Sequence, residues 1–145
     1  MHLPKYKYKT NESFLDYEFE SIDPKGKIKK VVRFTEIKTG VYNLAFGDLD
    51  ISNGEISDTV VTNNSDSKKV LSTVAAIVFD FTEKYTESWV VAKGSTHSRT
   101  RLYRMGISNH YEEISELFEV FGLEDISWVE FERRKDYTPF LVRRK

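Results

Sequence analysis

The sequence has 145 residues, no cysteine and a formal net charge of −1 at pH 7. This length fits one domain with its own hydrophobic core, so we expect residues 1–145 to fold as a single unit. The lack of cysteine excludes disulfides, thiolate zinc sites and a cysteine nucleophile, and it fits a reducing cytoplasm. The near-neutral charge excludes a strong attraction of the whole molecule to nucleic acid or membranes, so electrostatic binding must be local.

Neither a secretory signal nor a membrane span is predicted. The N-terminal residues contain no apolar run of the kind that a signal peptide needs. The longest apolar run, residues 74–79, is far too short to cross a bilayer. We therefore expect a cytoplasmic protein with no membrane partner.

Alternating side chains dominate the N-terminal third of the chain. Lysine and tyrosine alternate over residues 5–9, and polar and apolar residues alternate over 14–21, 28–37 and 41–47. A period of two is typical of strands, and turn residues separate these runs, so we expect an antiparallel meander. The lysine–tyrosine run has two readings, an edge strand with its lysines in water or a platform for single-stranded nucleic acid.

The strand pattern ends after residue 47. Turn-forming residues follow, and a short strand is compatible with residues 59–62. An acidic cluster superficially resembles a calcium loop, and it comprises Asp48, Asp50, Asn53 and Glu55. It lacks the glycine and the terminal glutamate of an EF-hand, and the three histidines have no metal-ligand spacing, so we expect no metal.

The clearest helix is predicted over residues 67–85. Its apolar residues recur at steps of three and four and form one stripe, which comprises Val70, Leu71, Val74, Ala75, Val78, Phe81 and Tyr85. Ile77 and Phe79 widen this stripe, so we expect the helix to be buried on more than one side. Residues 89–92 are apolar on both faces, which is typical of a central strand. A second helix is predicted over 98–108.

The C-terminal part is less clear. Residues 112–122 fit both a helical stripe and a strand, and we favour a strand for the second half. Further strands are predicted over 127–132 and 139–144. An acidic run is most simply a solvated edge, and it comprises Glu112, Glu113, Glu116 and Glu119. The chain therefore predicts an α+β fold, a mainly antiparallel sheet of about six or seven strands packed against one long and one shorter helix.

Residues 93–104, here called the 93–104 segment, carry the strongest functional pattern. Its candidate ligand-binding residues are Lys93, Gly94, Ser95, Thr96, Arg99, Arg101 and Arg104. A helix N-terminus presents unpaired N–H groups and the positive end of the peptide dipoles. The glycine lets backbone approach a ligand, the hydroxyls can donate hydrogen bonds, and no acidic residue lies between positions 93 and 108. The pattern indicates an anion site.

The arginines of the segment fall on different faces of the predicted helix. At 100° per residue, the apolar arc contains Tyr103, Gly106 and their neighbours, and Arg99 falls in its middle. Arg101 and Arg104 lie on the opposite face. An inward-facing guanidinium is costly unless an anion or carbonyl groups meet it, so Arg99 either pairs with an internal acid or lines a pocket.

Structural roles compete with the functional one. Serine or threonine before a helix is commonly only an N-cap, and glycine there is commonly only a turn. The segment has neither the P-loop spacing nor the G-x-G-x-x-G spacing of known phosphate loops. Ordinary capping and an internal ion pair therefore remain open beside ligand binding.

The segment also carries a family resemblance. The runs KGST and RTRLY within it, together with the opening LPKY and the closing FLV, resemble a family of short bacterial proteins of unknown function, about 150 residues long. The resemblance covers nearly the full length and implies a single domain. It brings no activity, cofactor or catalytic residue with it.

Three functions are compatible with these patterns. The first is a binding module for a phosphate-bearing ligand, namely a nucleotide or nucleic acid. The second is a non-enzymatic protein–protein interaction or regulatory protein whose arginines are structural. An enzyme such as a ribonuclease using His97 is the least favoured, because nothing fixes a general base beside a nucleophile. No cofactor is expected.

Overall fold

The computed structural model describes residues 5–23, 26–49, 56–57, 67–93, 97–132, 135, 137 and 139–145, without the side chains at 23, 56, 57, 67, 68 and 97–102. Within this part of the chain, nine strands form one sheet, accompanied by three helices. The strands are β1 (Tyr8–Thr10), β2 (Asp16–Asp23), β3 (Gly26–Lys38), β4 (Val41–Leu49), β5 (Ile56–Ser57), β6 (Trp89–Ala92), β7 (Phe118–Glu124), β8 (Ser127–Glu130) and β9 (Phe140–Arg144). The helices are α1 (Ser67–Lys84), α2 (His97–Asn109) and α3 (Tyr111–Leu117). None of these helices is long and apolar enough to cross a membrane.

The sheet confirms the α+β class and the central position of residues 89–92. Its order is β1-β2-β3-β4-β6-β9-β7-β8, with β5 paired to β4. Strands β1 to β4 form the expected antiparallel meander. Strand β6 pairs in parallel with β4 and antiparallel with β9, and the other described pairings are antiparallel. The chain therefore leaves the meander, crosses over through α1 and enters the middle of the sheet.

The predicted numbers of strands and helices are wrong. Strand β5 has only two residues, too few to show a period, and the candidate strand at 59–62 lies outside the described residues. Helix α3 was missed because it passes into β7 at Phe118, whose φ of −134° and ψ of 150° are already extended. The helical period of α3 and the strand period of β7 therefore meet at Phe118 without a loop between them. The strand favoured for the second half of 112–122 is confirmed, whereas Glu112, Glu113 and Glu116 lie on a helix and not on an edge strand.

Helix α1 packs across one face of the sheet. Its Phe81 ring stacks on Phe34 of β3 at 3.9 Å between centroids. The backbone N–H of Tyr6 donates to the Thr73 hydroxyl oxygen at 2.8 Å, which ties the N-terminal residues to the helix. Residues off the main stripe are also buried, and they are Ser72, Thr73, Ala76 and Thr82. The prediction that this helix is buried on more than one side is therefore confirmed.

The opposite face of the sheet differs between its two halves. On β2 and β3 it carries ion pairs, including Arg33 Nε to Asp16 Oδ1 at 2.7 Å. On β6, β9, β7 and β8 the strand alternation and register place an apolar stripe, which consists of Trp89, Val91, Leu141, Phe121, Leu123 and Trp128. These side chains are half-buried or exposed, and Trp128 retains 41% of its accessible surface. None of the described elements covers this stripe, here called the open apolar stripe.

Candidate functional site

The 93–104 segment joins β6 to α2. Lys93 is exposed directly after the last residue of β6, and Arg104 is half-buried in α2. Gly94, Ser95 and Thr96 lie outside the described residues. Arg99 and Arg101 belong to the described backbone of α2, but their side chains lie outside the description. The grouping of these side chains around an anion therefore stays a prediction.

The backbone around the segment has a defined layout. Strand β6 ends at Ala92 beside Leu44 of the parallel strand β4. Helix α2 starts at His97, only a few residues later, and has no acidic residue in its first turn. The N-terminal end of α2 therefore begins where a central strand finishes. Such strand-to-helix connections are where sheet proteins commonly bind anionic ligands.

The packing of α2 confirms its predicted apolar arc. Tyr103 and Gly106 are buried and Ile107 is half-buried, whereas Met105 on another face is exposed. A Cβ atom on Gly106 would lie 2.9 Å from Leu71 Cδ1, so the glycine allows α2 to approach α1 closely. Position 99 precedes Tyr103 by about one helical turn and belongs to the same face of the helix.

A cavity of about 100 Å³ lies between the sheet and the three helices. Its lining comes from strands β4, β6, β7 and β9, the three helices and the α2–α3 junction, and comprises Leu44, Leu71, Ser72, Val74, Ala75, Val78, Val90, Ala92, Tyr103, Gly106, Ile107, His110, Ile114, Phe118, Val120 and Val142. Nearly all of this surface is hydrocarbon. The cavity is partly open to the protein surface, so it is a pocket and not a closed void of the core.

Sequence reasoning missed this cavity. Its one local signal is the set of small residues that face it, namely Ala75, Ala92 and Gly106. Small residues are equally typical of close packing, so they do not reveal a cavity by themselves. Two lining residues are close to the candidate binding residues in sequence: Ala92 directly precedes the 93–104 segment, and Tyr103 belongs to it.

Comparison with known proteins gives a family but no activity. A family model described as a family of unknown function, DUF6934, matches residues 2–145. The chain belongs to the DUF6934 family. This match agrees with the near-full-length resemblance expected from the sequence. No curated protein and no solved structure matches the chain.

One member of the acidic cluster, Asp48, has a described role in this DUF6934 protein. Asp48 lies opposite Lys30 on the neighbouring strand, and the Lys30 ammonium donates to the Asp48 carboxylate in a buried ion pair. Asp50, Asn53 and Glu55 lie outside the described residues. Within the described part of the chain, no group of three or more potential ligands could hold a metal ion.

The lysine–tyrosine run of the DUF6934 chain forms an edge, as one of its two readings predicts. Lys5, Lys7 and Lys9 are exposed, whereas Tyr6 is buried against the core. The Tyr8 hydroxyl donates to the Asp80 carboxylate of α1. Burial, and then the bond to Asp80, raises the pKa of Tyr8 well above its usual value. Tyr6 and Tyr8 both pack against the core, which favours the edge-strand reading of the run.

The C-terminal arginines have structural contacts. Arg144 donates through Nη2 to the Phe79 carbonyl oxygen at 3.0 Å, near the end of α1, and its guanidinium lies 4.0 Å from the Phe79 ring centroid. Arg143 lies over the Trp89 ring on the opposite face of the sheet. Arg143 therefore does not extend a basic surface formed by α2.

Proposed function

We propose that this DUF6934 protein is a non-enzymatic cytoplasmic module that binds a phosphate-bearing ligand, a nucleotide or nucleic acid, at the 93–104 segment. The observation that carries the proposal is the layout of the backbone: α2 begins at the carboxyl end of central strand β6, with no acid between positions 93 and 108. Unpaired N–H groups at a helix start favour an anion at such a position.

Each candidate binding residue of the 93–104 segment has a role in this proposal. Ser95 and Thr96 donate hydroxyl hydrogen bonds to phosphate oxygens, and Gly94 lets the backbone approach them. Arg99 provides a bidentate guanidinium contact, because its planar fork matches two phosphate oxygens. The other cations, Lys93, Arg101 and Arg104, raise the local positive potential.

The test is a set of titrations with inorganic phosphate, nucleotides and short RNA and DNA at low salt. Wild type is expected to bind at least one of these. Arg99→Ala is expected to weaken binding about tenfold or more, since charged hydrogen bonds contribute about 1.5–3 kcal/mol. Arg101→Ala is expected to weaken binding by a smaller factor that shrinks with added salt, because Arg101 contributes only to the local potential. Arg143→Ala is the matched control, because it removes the same charge from an exposed residue on the other face of the sheet. Wild type that binds none of the probes would end the proposal.

Protein–protein interaction is the second candidate, and the open apolar stripe favours it. A sheet face with two tryptophans and a phenylalanine at its surface is typical of an interface. Trp89 and Phe121 lie 5.9 Å apart between ring centroids and form the centre of the stripe. The partner proposed here is a second copy of the chain, stacked sheet to sheet.

Light scattering decides this second candidate. Wild type is expected to be a dimer at micromolar concentration, and Phe121→Glu is expected to be a folded monomer because it places a charge at the centre of the stripe. Ile22→Glu serves as control, since Ile22 is exposed at 57% on the other half of the sheet. A monomeric wild type across this range would exclude the dimer.

A structural role for Arg99 can be separated from ligand binding. Among the described residues, Glu113 Oε2 is buried without a hydrogen-bond partner, and it is the internal acid proposed to meet Arg99 under this alternative. Arg99→Ala and Glu113→Gln would then lower stability in a strongly non-additive way. Additive effects on stability, together with lost phosphate binding in Arg99→Ala alone, would favour the ligand role.

A further inference from the structure

The cavity lies where the helices leave part of the sheet uncovered. Val90, Val142 and Val120 are paired side by side on β6, β9 and β7, and all three line the cavity. Val90 and Val120 are only 1% and 4% exposed, whereas Val142 between them is half-buried. Because a neighbouring strand flanks Val142 on each side, its remaining exposed surface faces the cavity.

The cavity is reached from the helical side of the sheet. Its floor is well buried, since Leu44 on β4 is only 3% exposed. Several lining residues of the helices keep exposed surface, and they are Leu71, Ala75, Ile107 and Ile114. A small molecule can therefore approach the floor from solvent without crossing the sheet.

The chemistry of the walls selects the occupant. Three lining residues carry a polar side-chain group, Ser72, Tyr103 and His110, but nearly all of the cavity surface is hydrocarbon. A polar group placed inside would lose its hydrogen bonds to water without replacement. Water itself needs two to four polar partners, so it is disfavoured there for the same reason. The walls therefore favour a hydrocarbon group.

The volume of the cavity limits the length of that group. An apolar cavity of about 150 Å³ in another protein holds benzene. By this comparison, the cavity of about 100 Å³ admits roughly four carbon atoms. A ring of the size of benzene exceeds this volume. An unbranched chain can instead fill the cavity with one end and leave its other end in water, because the cavity is partly open.

We infer that the cavity binds the unbranched alkyl chain of a small molecule, with about four carbon atoms inside and the polar end of the molecule in water at the opening. The ligand class is that of short-chain alcohols and acyl compounds. This inference goes beyond the proposed function, since it requires neither the 93–104 segment nor an anion.

An NMR titration with neutral n-alcohols, from ethanol to 1-hexanol, tests the inference. Each methylene group that enters an apolar site strengthens binding about fourfold, so the affinity is expected to rise by this factor per carbon up to about 1-butanol. It is expected to level off for longer alcohols, because their added carbons stay in water. The methyl groups of Val90, Val120 and Val142 are expected to shift, whereas those of Val91 on the opposite face of β6 stay unchanged.

Ala75→Leu is the filling variant, because its longer side chain occupies the cavity, and it is expected to abolish the rise with chain length. Ala45→Leu is the matched control. Ala45 is half-buried like Ala75, but it follows Leu44 on β4 and therefore faces the other side of the sheet. Circular dichroism of each variant confirms that it is folded.

Val142→Thr is a second variant, which keeps the inference testable if Ala75→Leu does not fold. It retains the shape of the side chain but adds a hydroxyl group to the cavity wall. Binding of 1-butanol is expected to weaken about threefold or more, because an alkyl chain cannot replace the water bound to that hydroxyl.

A rise in affinity with chain length that Ala45→Leu retains, and that Ala75→Leu or Val142→Thr loses, would support the inference. Wild type that binds no alcohol would overturn it, and so would equal affinity in wild type and both lining variants. Shifts confined to Val91 and the rest of the open apolar stripe would also overturn it. Because the alcohols carry no charge, none of these results bears on the phosphate site, which has its own titrations.

Discussion

At the scale of single residues, the buried phenol of Tyr17 shows how burial opposes ionisation. Tyr17 is 1% exposed, and burial raises the pKa of its phenol from 10.0 to about 12. Its hydroxyl has no hydrogen-bond partner among the described residues. The Thr10 side chain lies close enough to the Tyr17 hydroxyl to lower its pKa. The Thr10 hydroxyl, however, donates its hydrogen bond to the Asp16 carbonyl oxygen at 2.9 Å.

This burial predicts a pH-dependent stability. Because the folded pKa lies above the unfolded one, the contribution of Tyr17 is complete below pH 10 and is lost as the pH rises to about 12. We expect Tyr17→Phe to lose less stability than wild type over this range. At pH 7 it should be equally stable or about 1 kcal/mol more stable, because it buries no unpaired hydroxyl. Urea unfolding at several pH values measures the stability of both proteins. If stability falls equally steeply with alkaline pH in wild type and in Tyr17→Phe, the assignment of this pH dependence to Tyr17 is contradicted.

Gly122 is a position where one added carbon atom is expected to change stability. A Cβ atom there would lie 2.1 Å from Tyr137 Cγ and 2.7 Å from Tyr137 Cβ, so relief requires movement of the whole ring. We expect Gly122→Ala to lower the free energy of unfolding by about 2–3 kcal/mol. Chemical denaturation with matched m-values checks this. A loss below about 0.5 kcal/mol would show that the ring moves freely.

The buried ion pair gives a third residue-scale prediction. Lys30 and Asp48 are 4% and 12% exposed at their side chains. Asp48→Ala removes the carboxylate opposite the Lys30 ammonium and is expected to lower the free energy of unfolding by about 1.5–3 kcal/mol, the value of a hydrogen bond between charged groups. The double variant Lys30→Met with Asp48→Leu is expected to be close to wild type, since buried pairs often contribute little net stability. A double variant as unstable as the single one would contradict this.

Sequence reasoning at the residue scale succeeds where charge and burial follow the usual rule. The inward side chains of β4, namely Tyr42, Leu44 and Phe46, follow directly from their alternation and are buried as expected. Asp48 continues the same face but was assigned to a turn, because a charged side chain normally signals the surface. Its cross-strand partner Lys30 is distant in sequence, so no local pattern shows that the two meet.

Among the elements, those with a long and pure period were predictable. Helix α1 and strand β6 occupy the residues expected from the sequence, within one position at the helix end. Helix α3 was not predictable with the same certainty, because seven residues give two turns only and the strand β7 follows directly. The segment between β6 and α2 was located by pattern, whereas the placement of its key side chains remains a prediction.

The contact between α1 and α2 gives the element-scale prediction. Gly106→Ala raises helix propensity by about 1 kcal/mol. The three atoms nearest to its new Cβ belong to the flexible end of Leu71, a side chain that lines the cavity. We therefore expect the variant to be as stable as wild type or up to about 1 kcal/mol more stable. Thermal unfolding measures this. A loss of about 2 kcal/mol or more would show that Leu71 has no space to yield.

At the scale of the whole molecule, the sheet separates two surfaces that differ in what covers them. One face carries the helices and the cavity, and the other presents the open apolar stripe. The cavity could not be predicted, because its lining residues run from Leu44 to Val142 and come together only when the helices pack on the sheet. The stripe was hidden for a similar reason, since it appears only when β6, β9 and β7 become neighbours.

The central claim is that a phosphate-bearing ligand binds at the 93–104 segment. An NMR titration with inorganic phosphate at low salt tests it most directly, through the backbone amides. We expect shift changes in the amides of residues 93–104, while Trp89 and Phe121 of the open apolar stripe stay unchanged. No shifts in the amides of residues 93–104, or shifts confined to the open apolar stripe, would contradict the claim.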